Sequence, residues 1–173
     1  LSGRTRKMPF LRYYTVFNAS QIDGVPFPNV PSRTGETFRP LEDAEKIVAG
    51  WTCGPRIEHG FAHAAYLPTF DVIQMPSPAS FDTPSAYYSS VFHELGHATG
   101  ATKRLNRRMS GRYGSEEYSR EELVAEMTAA FLCAHCGIDN STIPQQASYL
   151  AHWIKILKAE PRLVVTAASQ AQK

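Results

Sequence analysis

Apolar residues recur at three- and four-residue steps in two long stretches of the chain, a period that predicts amphipathic helices. In DTPSAYYSSVFHELGHATG the apolar set is Tyr88, Val91, Phe92 and Leu95, with Asp82 or Thr83 suited to the N-cap, Pro84 to the first turn and Gly100 to the stop. In SREELVAEMTAAFLCAHCG a helix is expected from a Ser119 cap to Gly137, with Leu123, Val124, Met127, Ala130, Phe131 and Ala134 as its stripe. PLEDAEKIVAG, with Pro early, acids in the first turn, Lys46 late and Gly50 beyond, has the polarity of a short helix. PQQASYLAHWIKILKAE and PRLVVTAASQAQK both open on Pro, so the C-terminal third reads as helical. The period changes in GFAHAAYLP and DVIQMP, which are short, apolar-leaning and bounded by Gly, Pro or Asp; they predict a small antiparallel sheet. The fold class is therefore α+β. Residues 1–37, which take in most of the Pro- and Gly-rich DGVPFPNVPSRTGETFRP, read as an arm or linker, and residues 38–173 as the domain.

Composition adds limits. A chain of 173 residues, 43% apolar and 20% charged, without an apolar run near membrane-spanning length, is expected to be one soluble globular domain with no membrane partner. A formal charge of +2 is too small to imply a polyanion partner for the whole molecule, and it argues against an acidic mimic of DNA. Cys53, Cys133 and Cys136 are odd in number and sparse, which suits reduced thiols in a cytoplasmic protein. The first residue is Leu1 rather than methionine, so the sequence reads as a piece of something longer with an upstream part. Its opening interleaves Arg4, Arg6, Lys7 and Arg12 with Phe10, Tyr13, Tyr14 and Phe17, an arrangement that can meet phosphates and stack on bases, or simply lie along the domain.

The candidate chemistry sits in the first long helix. HELGH places His93 and His97 four residues apart with Glu94 after the first; in a chain of this composition such a pattern is expected roughly 0.01 times by chance. Four residues of helix turn through about 400°, so the two imidazoles share a face one turn apart and can reach one ion. Zn²⁺ takes neutral histidine nitrogens and, in catalytic sites, usually three protein ligands and water. Mn²⁺ or another divalent ion fits the same donors. Glu94, about 100° away, would stand beside that water as general base in metal-assisted amide hydrolysis. Gly96 costs the helix about 1 kcal/mol relative to Ala, which points to a close approach there.

A third ligand is expected from Glu121, Glu122 and Glu126 on the second helix. Glu122 and Glu126 share a face, so Glu122 is assigned as ligand and Glu126 as its support or the alternative ligand. Ser119-x-x-Glu122 is also a capping box, which would occupy Glu122 otherwise. Cys133 and Cys136, with His135 between them, read as core residues rather than a second metal pair. His59, His63 and His152 stand alone, although His63 or Tyr66 could line a cleft, and Arg112, Tyr113 or Tyr118 could steady an oxyanion.

With these residues in view, YYSSVFHELGHATG, RLNRRMSGRYGSEEYSREELVAEMTAAFLCAHCGI and AYLPTFDVIQMP resemble the C-terminal metallopeptidase-like domain of ArdC-type antirestriction proteins, related to the N-terminal part of TraC-type conjugative plasmid primases. YLAHWIKILKAEPRLVVTAASQAQK is similar more weakly, and the resemblance runs from about Tyr13 to the end. It implies a zincin-like fold, with a metal held between the active-site helix and a second helix by His93, His97 and one glutamate of EELVAE. It also implies an upstream domain that binds single-stranded DNA, an unknown protein substrate and a role in protecting transferred plasmid DNA from restriction. The chain departs from the pattern at Ala101, where histidine is expected, and at Cys136, in an apolar-leaning position; neither departure removes an expected ligand. The rival function is a DNA-associated module that keeps the metal and cleaves little or nothing.

Overall fold

The computed structural model describes residues 24, 39–109, 111, 115–138, 153–154 and 156–173. The chain divides into two units, Leu1–Arg33 and Thr34–Lys173, and every element described belongs to the second. The expected basic and aromatic arm, together with Arg112, Tyr113 and His152, lies outside the described residues.

The elements run α1 (Glu42–Gly50), β1 (Arg56–His59), β2 (Ala65–Leu67), β3 (Val72–Met75), a 3₁₀ turn at Pro78–Ser80, α2 (Pro84–Thr99), α3 (Glu116–His135) and α4 (Arg162–Ala171). The three strands form one sheet in the order β1-β3-β2. Only β2 and β3 are antiparallel, with Tyr66 opposite Ile73; β1 runs parallel to β3, with Arg56 opposite Val72. The sheet is thus mixed rather than antiparallel, and one of its strands was not expected. RIEH is polar and only half-buried at its centre, so it carries no alternation to announce a strand. The connection through residues 60–71, which carries β2, supplies the crossover a parallel pair needs.

Helix α2 follows its sequence pattern. Thr83 is the N-cap, its hydroxyl accepting from the Ala86 N–H, and Pro84 opens the first turn. Tyr88, Val91, Phe92 and Leu95 are all buried, in one core with Ile73 and Met75 of β3. At about 1.5–3 kcal/mol for each fully buried large side chain, this face outweighs the roughly 1 kcal/mol cost of Gly96.

Helix α3 begins earlier than expected. Ser115 is its cap, accepting from the Tyr118 N–H, and Ser119 lies a turn inside with its hydroxyl donating to the Ser115 carbonyl at 2.9 Å. The capping box is therefore absent, and Glu122 is free for another task. Of the expected stripe Leu123 and Val124 are buried, but Phe131 is 40% exposed and Ala134 is exposed, and Ala125, Ala129 and Cys133 turn inward in their stead. The cause is the close approach of the two helices. A Cβ on Gly96 would stand 2.9 Å from Ala125 Cα, so only small residues fit where α2 and α3 meet.

The opposite side of α3 is covered by α4, through Leu123, Val124, Leu163 and Ala167. Arg120 donates to both Glu116 and Glu160, tying the start of α3 to the segment before α4. The helix expected across 144–160 is described only at 153–154 and 156–159, where the residues are helical. No described helix is long and apolar enough to cross a membrane.

Candidate metal centre

Because Gly96 lets α3 lie close against α2, Glu121, Glu122 and Glu126 of α3 face the histidine pair. One ligand atom from each of His93, His97 and Glu122 lies within 4.8 Å of the others. The two Nε2 atoms are 3.1 Å apart, His93 Nε2 is 3.6 Å from Glu122 Oε2, and His97 Nε2 is 3.4 Å from Glu122 Oε1. Ligands about 2.0–2.1 Å from a tetrahedral ion are separated by about 3.3–3.4 Å, so the three donors already have the spacing of one face of such a site.

The outer ring nitrogens meet carboxylates too. His93 Nδ1 is 3.5 Å from Glu126 Oε1, and His97 Nδ1 is 3.4 Å from Glu121 Oε1. Glu121 in turn takes two bonds from Arg107, Nε to Oε2 at 2.9 Å and Nη2 to Oε1 at 2.7 Å. Acceptors at both Nδ1 atoms favour the tautomer that leaves each Nε2 lone pair directed at the common centre. Glu94 is buried, and its Oε2 accepts the Tyr66 backbone N–H at 2.7 Å. This bond joins α2 to β2, one of the two edge strands of the sheet.

Electrostatics favour a cation. Three carboxylates, of Glu121, Glu122 and Glu126, lie against the histidine pair, and among the described residues the guanidinium of Arg107 bonds only the first of them. Burial opposes charge on His93, yet Glu122 and Glu126 outweigh it and push its pKa up to about 10. His97 moves the same way, burial again being overcome by Glu121 and Glu122. Burial alone would raise Glu122, but the two histidines hold it well below the usual carboxylate range, and Arg107 with His97 lowers Glu121 against the same opposition. Two imidazole nitrogens and a carboxylate oxygen are donors that fit a divalent ion.

Comparison with known proteins agrees with this geometry. Residues 42–170 match the family model described as zincin-like metallopeptidase. The chain belongs to the zincin-like metallopeptidase family. It is 42% identical over 164 residues to the uncharacterized protein y4eC of Sinorhizobium fredii, covering 95% of this chain and 52% of that protein. It is 39% identical over 166 residues to the DNA primase TraC of Escherichia coli, covering 95% of this chain and 15% of the primase. Among solved structures it is similar to the antirestriction protein ArdC from plasmid R388. The Mn(II)-bound form of ArdC matches with a TM-score of 0.62 and 37% identity, over 96% of this chain and 60% of that one; the metal-free form gives a TM-score of 0.62 and 38% identity. The chain spans about half the length of y4eC and a smaller share of the primase.

Within this zincin-like domain the other candidate residues divide clearly. Tyr66 turns its hydroxyl to Asp71 and offers the site only its backbone N–H. Arg104 reaches Asp71, the Tyr66 hydroxyl and the Ala98 carbonyl, clamping the β2–β3 turn onto the end of α2. That guanidinium, with Lys103 and the Tyr66 hydroxyl, outweighs burial and holds the Asp71 carboxyl well below its usual range. His59 pairs with the Tyr87 hydroxyl at 2.8 Å, and His63 is exposed in the loop before β2. Ala101 and Cys133 are buried in the main core, and Cys136 packs against it. Sequence reasoning missed the part played by Glu121 and Arg107. The one available signal was a third acid in EELVAE, since a carboxylate buried on a packed helix requires a partner.

Proposed function

We propose that this chain is the metal-dependent peptidase domain of an antirestriction-type protein, with His93, His97 and Glu122 holding a divalent ion and Glu94 moving the proton. The observation that carries the reading is the meeting of two imidazole Nε2 atoms and one carboxylate within 4.8 Å, beside the buried Glu94. Two nitrogens and an oxygen suit Zn²⁺, and the Mn(II)-bound ArdC structure supports a divalent ion without selecting zinc. When bound, the ion supplies positive charge that polarises a carbonyl and makes water more acidic.

The chain's own residues do the rest. Tyr66 N–H fixes Glu94 Oε2, and the other oxygen of that carboxylate accepts the proton of the attacking water. As the water oxygen bonds to the carbonyl carbon and the C–N bond breaks, Glu94 passes the proton to the departing amine. Glu121 and Glu126 keep the histidine rings oriented throughout. The antirestriction setting rests on the similarity to ArdC and the TraC primase, and in this reading contact with single-stranded DNA falls to other parts of the full protein.

Labelled casein tests the chemistry. Zinc- or manganese-loaded protein is expected to cleave it, and metal-stripped protein is expected not to until the ion is restored. Absence of cleavage in the loaded state would favour a second reading, a metal-containing module that protects DNA without hydrolysis. The similarity to ArdC, an antirestriction protein, is the feature that favours it.

A further inference from the structure

The loop after α2, KRLNRR, has the composition of a surface that meets phosphates, but its arginines at 104 and 107 turn inward. Arg107 is as buried as the carboxylate it meets, both side chains being 8% exposed. Its guanidinium donates to the Gly96 carbonyl at 2.7 Å, to the Thr99 hydroxyl at 2.6 Å, and through two nitrogens to Glu121. The fork therefore holds together the middle of α2, the last turn of α2 and the start of α3. Glu121 carries the constraint onward, because Oε1, the oxygen bonded by Arg107 Nη2, is the one 3.4 Å from His97 Nδ1.

Resting on the reading above, we infer that Arg107 is a positioning residue for the metal centre: it fixes the Glu121 carboxylate so that it accepts from His97 Nδ1–H and turns His97 Nε2 toward the ion. A glutamate side chain on its own samples several rotamers, and an imidazole can turn about its Cβ–Cγ bond. A planar guanidinium with donors in fixed directions removes the first freedom, and the oriented carboxylate removes the second. Lysine cannot substitute, since one ammonium has no fork to reach the Gly96 carbonyl, Thr99 and both oxygens of Glu121 together. His93 provides an internal contrast. Its outer partner Glu126 is 23% exposed and makes its described contact with the ring alone, so loss of Arg107 should affect His97 and spare His93.

The test uses the full chain, metal-stripped, in three forms: parent, Arg107→Lys and Arg107→Gln. Zinc affinity is read by competition with a chromophoric chelator, and the histidine ring N–H signals by nitrogen-15 NMR. Both variants are expected to bind zinc about 10- to 100-fold more weakly, as is typical when an outer partner of a ligand histidine is disturbed. In the metal-free protein the His97 Nδ1–H signal, sheltered from exchange in the parent, is expected to broaden or vanish in the variants while that of His93 persists. A merely structural brace would lower the melting temperature without this selective change. The proposal is overturned if Arg107→Lys binds zinc within about twofold of the parent with unchanged His97 signals, or if neither variant folds. Failure of the parent itself to bind zinc would remove the peptidase reading, and the metal-free NMR comparison would still decide whether Arg107 positions His97.

Discussion

Glu94→Gln is expected to lower peptide-bond hydrolysis by about 100- to 10,000-fold, the range associated with loss of a general acid–base group, while zinc stays bound. The amide keeps the size of the carboxylate, and its oxygen can still accept the Tyr66 N–H that Glu94 Oε2 accepts at 2.7 Å. What it loses is the ability to take a proton from water near neutral pH. Paired measurements of casein cleavage and bound zinc on parent and variant check this directly. If hydrolysis and restriction protection by the full protein are unchanged with zinc still present, the enzymatic reading is wrong and the binding module stands.

Glu122→Ala and Glu126→Ala should differ in kind. Glu122 approaches the Nε2 atoms of both histidines, at 3.6 and 3.4 Å, whereas Glu126 approaches only the outer nitrogen of His93, at 3.5 Å. Removing Glu122 takes away one of three donors and should weaken zinc binding by more than about 100-fold, beyond the 10- to 100-fold expected for an outer partner such as Glu126. The comparison is made by equilibrium competition under one set of conditions. The assignment fails if Glu122→Ala keeps the metal as firmly as the parent while Glu126→Ala loses it.

The parts of this site that depend on local geometry were legible in the sequence. His93 and His97 share a face because they are four residues apart on a helix whose cap, first-turn proline and apolar steps all agree, so no tertiary knowledge was needed. The same period put Glu122 and Glu126 on one face of α3 without choosing between them, and the choice rests on their distances to the histidine nitrogens. The start of that helix was placed a turn late, at Ser119, although Ser115 is an equally good cap. Ser115 prevails, and Glu116 and Glu117 then fall in the first turn, where they suit the helix dipole. Leu123, Val124 and Met127 of the expected stripe of α3 pack on the α4 side, but Phe131 and Ala134 are exposed and the face toward α2 is made by Ala125, Ala129 and Cys133 instead. Ala125 Cα lies against Gly96, so the contact selects for lack of bulk rather than for hydrophobicity. Strand β1 and its parallel pairing depend on β3, which stands opposite and beyond β2 in sequence, and RIEH itself bears no strand pattern. Arg107 and Glu121 are brought together across 14 residues, and Glu121 and His97 across 24; such pairings come from the packing of α2 on α3 and have no period to read.

Calorimetric titration of the metal-stripped chain with zinc, run beside His93→Ala, tests the central claim most directly. The convergence of His93, His97 and Glu122 predicts uptake of about one ion per chain by the parent, and loss of that uptake when one imidazole is removed. Absence of binding by the folded parent, or binding that His93→Ala leaves undisturbed, would contradict it.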